Sequence, residues 1–268
     1  MKISVYTHMT NPDQRMDPWQ EALSCYEDIG DELITVGEDW PEEFKWDHIG
    51  KTFTEGFNKC NGDWVLNLAL DMFIHEKQIL KMRKYFNEYS NAPALAFPKY
   101  KFFTPGKYEI KSFDVWAINK KKFPNIKFDG GGDLCLPTLN GEILNQNNVP
   151  IVPIALWNYD STFRTKEVIA KDRGRFARAW YREFNSWDDR GGSTDEEAYN
   201  AWFKMVKSRL KKQVNKKNLD QHPKYIKQKL FNLDSDRFGF DCFGEMKNTR
   251  HTLNDYIDNY KIRIKYKI

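Results

Sequence analysis

The hydrophobic pattern of the first half of the chain switches repeatedly between strand and helix periods. Lys2 to Tyr6 (KISVY) is a short β-prone run that ends in the polar stretch THMTNPDQ. Pro18 to Tyr26 (PWQEALSCY) follows, with a proline suited to a first helical turn. Glu32 to Val36 (ELITV) predicts a second strand, with the loop GEDWPEE after it. Ile49, Phe53, Phe57 and Cys60 recur at helical spacing, so IGKTFTEGFNKC predicts an amphipathic helix. Asn61-Gly62-Asp63 breaks that helix. Trp64 to Leu70 (WVLNLAL) is the strongest strand signal, and it ends at Asp71. Glu76 to Tyr89 predicts another helix.

Strands alternating with helices at this spacing predict an α/β fold with a mostly parallel sheet and flanking helices. In such sheets ligands sit beyond the C-terminal ends of the strands. That rule selects Thr7-His8, Glu38-Asp39, Asp71 and a later glycine-rich turn. Ala94 to Phe103 and Phe113 to Asn119 are aromatic and strand-like, with a turn at Thr104-Pro105-Gly106. The prolines of VPIVPIALWNY demote that stretch to an edge strand or a connector. From about Thr165 the pattern becomes helical, with a capping box expected from Thr194 to Glu197. The last residues, KIRIKYKI, alternate like a strand. The expected division is 1–160 as a ligand-binding and catalytic domain and 161–268 as a helical extension packed on it.

Composition narrows the class. Hydrophobic residues make up 40% and charged residues 30% of 268, a globular and not a disordered balance. The net charge of +4 is too small to predict a nucleic-acid binder. No apolar run approaches the roughly 18 residues of a membrane span. The first residues lack the apolar centre of a signal peptide. Cys25, Cys60, Cys135 and Cys242 are scattered without a CxxC pair, so reduced thiols and a cytoplasmic setting are expected. Aromatic residues reach 15%, which predicts a large core, a stacking site, or both.

Several residues could carry chemistry. Asp71, at the C-terminal end of a buried strand, is placed to hold a divalent cation or to cap the helix that follows. Asp129 and Asp133 flank a triple glycine, where either could deprotonate a hydroxyl or simply border a tight turn. Glu38 and Asp39 form a polar loop or hydrogen-bond a base or ribose, and Arg15 and Lys51 are phosphate partners or ordinary surface cations. Arg175, Arg178 and Arg182 share one helix face with Trp180 nearby. The favoured reading of that helix is an amphipathic one packed through Phe176, Ala177, Trp180 and Phe184, with its charges outside.

The stretch GKTFTEGFNKCNGDWVLNLALDMFIHE resembles the acid-motif region of family 2 glycosyltransferases, which have the GT-A fold. RMDPWQEAL, DWPEEF, FDGGGDLC and TKEVIAKDRGRFARAWYREF resemble segments of a bacterial and phage subgroup of such proteins. The resemblance implies a GT-A-like nucleotide-diphospho-sugar transferase with a helical C-terminal extension. Thr7, Glu38 and Asp39 would lie near the nucleotide. Asp71 would match the last acid of the DxD motif and hold Mn²⁺ or Mg²⁺ against the diphosphate, whereas the first acid falls on Ala69. The remaining metal ligand is open among His75, His222 and His251. Asp133 would be the catalytic base, with Asp129 second. The implied reaction is an inverting transfer from a nucleoside diphosphate sugar to an acceptor hydroxyl on a glycan, lipid-linked sugar, protein or modified base. The alternative, kept open by Ala69, is an inactive nucleotide-sugar or glycan binder. Trp116 and Trp157 are candidates for stacking on a sugar face.

Overall fold

The computed structural model describes residues 1–131, 135–233, 238–266 and 268. Two β-α units open the chain: β1 (Ile3–His8), α1 (Trp19–Ile29), β2 (Glu32–Val36), α2 (Asp47–Lys59) and β3 (Trp64–Asn67). β1 lies between β2 and β3 and runs parallel to both, with Tyr6 beside Ile34 and Asn67. β4 (Met72–Ile74) and α3 (Ile79–Glu88) follow, then the long hairpin of β5 (Ala94–Thr104) and β6 (Lys107–Ile118). A small antiparallel sheet is made of β7 (Lys127–Asp129), β8 (Leu136–Leu139) and β9 (Glu142–Ile143). β10 (Leu156–Asn158) returns to the main sheet, whose order is β2-β1-β3-β6-β5-β10-β4. The C-terminal edge of β1, β2 and β3 is therefore the edge to which the first loops bring their side chains. The fold is α/β.

Alternation along each strand divides the core. Ile3, Val5, Trp64 and Leu66 face α1 and α3, where Trp64 stacks on Phe86 at 4.8 Å. Tyr6 and Val65 face α2 and β7, against Phe57 and Phe128. Gly56 of α2 lies directly on the Tyr6 ring, so any Cβ there would overlap it. α4 (Lys166–Phe184) and α5 (Asp195–Leu210) pack with Phe103 of β5 through Ile169, Tyr199, Trp202, Val206 and Leu210. Thr165 and Thr194 cap them, and Thr194 completes the expected box with Glu197.

Four local expectations are revised. The WVLNLAL strand stops at Asn67, and a turn carries Ala69 and Asp71 into β4. β10 is flanked by β5 and β4, so it is not an edge. Both prolines precede it, which leaves its own amides free to pair. The terminal segment is a helix, Leu253–Tyr266, not a strand. Ile262 and Tyr266, four residues apart, share the face that packs on the core, and Tyr266 meets Phe113 at 3.8 Å. The charges of α4 do not all point outward. Arg175 is buried, and it donates to the carbonyls of Pro41 and Glu42. Arg178 and Arg182 pair with Glu43, at 2.7 and 3.0 Å. These arginines clamp the loop after β2 through its carbonyls and Glu43.

Gly56→Ala should lower stability by about 1–3 kcal/mol through overpacking against Tyr6. Urea denaturation measures it, and an unchanged midpoint would contradict this packing.

Candidate functional site

A cavity of about 530 Å³ opens at the C-terminal edge of the parallel strands. One end is aromatic, lined by His8, Trp40, Phe44, Phe53 and Phe128. His8 closes β1 and stacks on Phe53 at 4.2 Å. Burial lowers its pKa to about 3, so it is a neutral ring at pH 7. Trp40 lies 5.4 Å from Phe44 in the loop that α4 clamps.

The other end is ionic. Arg164 is buried and pairs with Asp17, with Asp160 at 3.5 Å and with Asp172 at 3.3 Å. Arg15 joins Asp17 at 3.1 Å and Asp172 at 2.7 Å. Lys101, pointing from β5, holds Asp160 at 2.6 Å, and Arg173 of α4 reaches it at 3.4 Å. Burial alone would raise the Asp160 pKa, but Lys101, Arg173 and Arg164 hold it well below the usual carboxylate range. Asp172 is lowered in the same way by Arg15 and Arg164 against its own burial. Met16 (φ 56°) and Ser161 (φ 74°) are left-handed, and each adjoins an acid of this ring. Neither is glycine, so the ring holds two strained backbone positions in place.

Asp71 faces this ring differently. The Tyr26 hydroxyl donates to the carbonyls of Ala69 and Met72 at 2.6 and 3.0 Å and fixes the turn that presents it. The Tyr159 amide donates to the Asp71 carbonyl at 2.8 Å. The carboxylate Oδ1 is sealed from solvent and has no hydrogen-bond partner. Burial and the nearby Asp160 raise its pKa to about 6. Asp71 is not a helix cap, because the next helical turn starts at Glu76 and is capped by His75.

The structure brings only some of the expected residues together. Asp71 and Arg15 line the cavity. Thr7 is buried with its hydroxyl unpartnered, and its neighbour His8 occupies the wall instead, as strand alternation requires. Glu38 and Asp39 are exposed, while Trp40 beside them lines the cavity. Lys51 pairs with Asp47 at 2.5 Å and shares a separate open groove with Asp129, between α2 and β7. Asp133 lies outside the described residues, although Cys135, Leu136 and Pro137 line the cavity. Trp116 lines the cavity, whereas Trp157 is stacked on Phe102. The histidines considered for metal lie elsewhere in contact terms: His75 with Glu76, His222 with Tyr159, and His251 with the Lys211 carbonyl. Among the described residues no group of three or more His, Cys, Asp or Glu is arranged to hold a metal ion.

Sequence reasoning missed Asp17, Lys101, Asp160, Arg164, Asp172 and Arg173. One signal was available. Lys99 and Lys101 alternate within the otherwise apolar run AFPKYKFF, so both must face one polar side of that strand.

No protein-family model matches this chain, and no curated protein matches it. Solved structures do. The crystal structure of S. aureus TarS 1-349 matches with a TM-score of 0.35 and 12% identity, over 79% of this chain and 80% of that one. The same protein in complex with UDP gives 0.38 and 14%, over 79% and 80%. Its complex with UDP-GlcNAc gives 0.34 and 13%, over 79% and 81%. At these values the functional reading rests on the chain's own residues. No helix among the described residues is long and apolar enough to cross a membrane.

Two outcomes test the ionic end. The Asp71 pKa in the fold exceeds its ordinary 3.8, so this group's contribution to stability falls as pH rises from about 4 to about 6. Asp71→Asn should therefore raise stability by about 1–3 kcal/mol at pH 7 and by nothing near pH 4. Denaturation at both pH values decides it, and equal effects would refute a strained carboxylate. Arg164→Met leaves its carboxylates short of a buried partner and should cost about 3–5 kcal/mol. A loss under about 1 kcal/mol would show that the ring is not held by this side chain.

Proposed function

We propose that this chain is a glycosyltransferase that takes its sugar from a nucleoside diphosphate sugar. The observation that carries this reading is the polarity of the cavity. An aromatic wall at one end suits a base, and a cation-rich ring at the other suits a diphosphate. Both lie beyond the C-terminal ends of parallel strands, where α/β sheets place their ligands. The GT-A-like order of elements expected from the family 2 resemblance supports the same reading.

The reaction is proposed to be a single displacement with inversion. An acceptor hydroxyl attacks the anomeric carbon while the nucleoside diphosphate leaves from the opposite side. A carboxylate takes the hydroxyl proton, and Asp133 is the group proposed for it from the family 2 resemblance. Asp129 is the second candidate. A divalent ion at Asp71 would stabilise the leaving group if bound, but the described residues offer it a single uncommitted carboxylate. Ala69, in place of the first acid, also supports a second reading: a nucleotide-sugar binder without turnover.

Thermal-shift assays with UDP, UDP-GlcNAc and other nucleoside diphosphate sugars test both. A melting-temperature rise with donor release by the wild type, absent in Asp133→Asn, supports transfer. A rise without release in any condition supports the binder. No rise with any donor refutes both. Trp40→Ala should weaken nucleotide binding by about 1–3 kcal/mol, because it removes an aromatic face from the base end. Titration calorimetry measures this, and unchanged affinity would exclude Trp40 from the base site.

A further inference from the structure

We infer that the charge of the departing diphosphate is taken up by the side-chain cations of the cavity, and not by a divalent metal. This rests on the nucleotide-sugar reading above. Four cationic side chains, Arg15, Lys101, Arg164 and Arg173, stand together at the ionic end of the cavity wall that the diphosphate would meet.

The donor set fits an anion better than a divalent cation. Asp17, Asp160 and Asp172 are already bound by arginine or lysine. A metal would have to compete with those buried pairs, and taking Asp160 would strip Lys101 and Arg173 of the carboxylate they share. Asp71 alone is uncommitted, and its sequence partner is Ala69, which supplies no ligand. Lys101 and Arg164 act electrostatically on Asp71, so a divalent ion there would meet two like charges.

The cations, by contrast, have capacity left. Arg173 meets Asp160 only at 3.4 Å, and its buried Nε has no hydrogen-bond partner. Its guanidinium lies over Trp202 at 5.4 Å, which holds the planar group in position. Arg175 binds the backbone carbonyls of Pro41 and Glu42, so those contacts leave its charge unneutralised. A planar guanidinium can match two phosphate oxygens.

In the transfer step the bond between the anomeric carbon and the diphosphate oxygen breaks, and its electron pair leaves on that oxygen. The acceptor oxygen forms the new bond, and its proton passes to the carboxylate base proposed above. The developing charge on the diphosphate falls to Arg173, with Lys101 and Arg164 behind it. These groups are in place before the reaction, so they need no reorganisation as charge develops.

The test is titration calorimetry of the purified full chain with UDP, in EDTA and in Mn²⁺ or Mg²⁺. UDP should bind in EDTA with an affinity within about threefold of that in metal. Arg173→Gln should weaken UDP about tenfold or more in both conditions, and Arg173→Lys should recover part of the loss. The melting temperature of each variant without ligand controls for folding. Binding that appears only with metal, or tightens about tenfold or more in it, overturns this inference and leaves the donor reading standing. Equal binding by wild type and Arg173→Gln also overturns the role given to Arg173. Failure of UDP and every other nucleoside diphosphate, with and without metal, overturns the donor reading and this inference together.

Discussion

The buried guanidinium of Arg164 organises the charged end of the cavity at the edge of the parallel strands. It meets Asp17 after β1, Asp160 after β10 and Asp172 on α4. A buried charge is tolerated only when its partners satisfy it, so these segments must arrive together. Arg15 and Lys101 complete the set by sharing the same carboxylates. The left-handed backbones of Met16 and Ser161 lie next to two of those acids. Their strain is held by the ion pairs, which in turn shape the charged end of the cavity. The helical half therefore helps to build the site, because Asp172, Arg173 and Arg175 come from α4.

Among the paired carboxylates around that ring, Asp71 stands out as one whose Oδ1 has no hydrogen-bond partner. Its turn is fixed by Tyr26 from the opposite layer, so its position depends on the packing of α1. The cost of leaving an oxygen unpaired, together with a raised pKa, marks a place where the fold sacrifices stability. The aromatic end is built from simpler means. His8, neutral and stacked on Phe53, continues the hydrophobic wall that Trp40 and Phe44 begin.

The arginine-rich helix shows how far a pattern can mislead. Arg175, Arg178 and Arg182 do share one face, as their spacing requires. Nothing in the spacing tells whether that face meets solvent, nucleic acid or protein. The loop Pro41–Phe44 supplies carbonyls and Glu43, and the arginines hold it over the cavity beside Trp40. A similar limit applied at the C-terminus. KIRIKYKI alternates like a strand, yet helical geometry lets Ile262 and Tyr266 reach the core together. Tertiary burial outweighed the local alternation.

The sequence by itself determined the α/β class, the order of the early strands and helices, the β5–β6 hairpin and the capped start of α5. These follow from periodicity, turn residues and capping, which act over a few neighbouring positions. It also selected the C-terminal edge of the parallel strands, where Asp71 and Arg15 line the cavity. At Thr7 and Asp39 the cavity wall is made by the adjacent residue, because a boundary read from pattern does not say which of two adjacent side chains turns inward. His8 and Trp40 hold those places. The ion-pair ring was beyond reading from sequence. Arg164 and Asp17 are 147 positions apart. Only the folded chain decides which distant charges share a buried space, since their pairing is enforced by the energy of removing them from water.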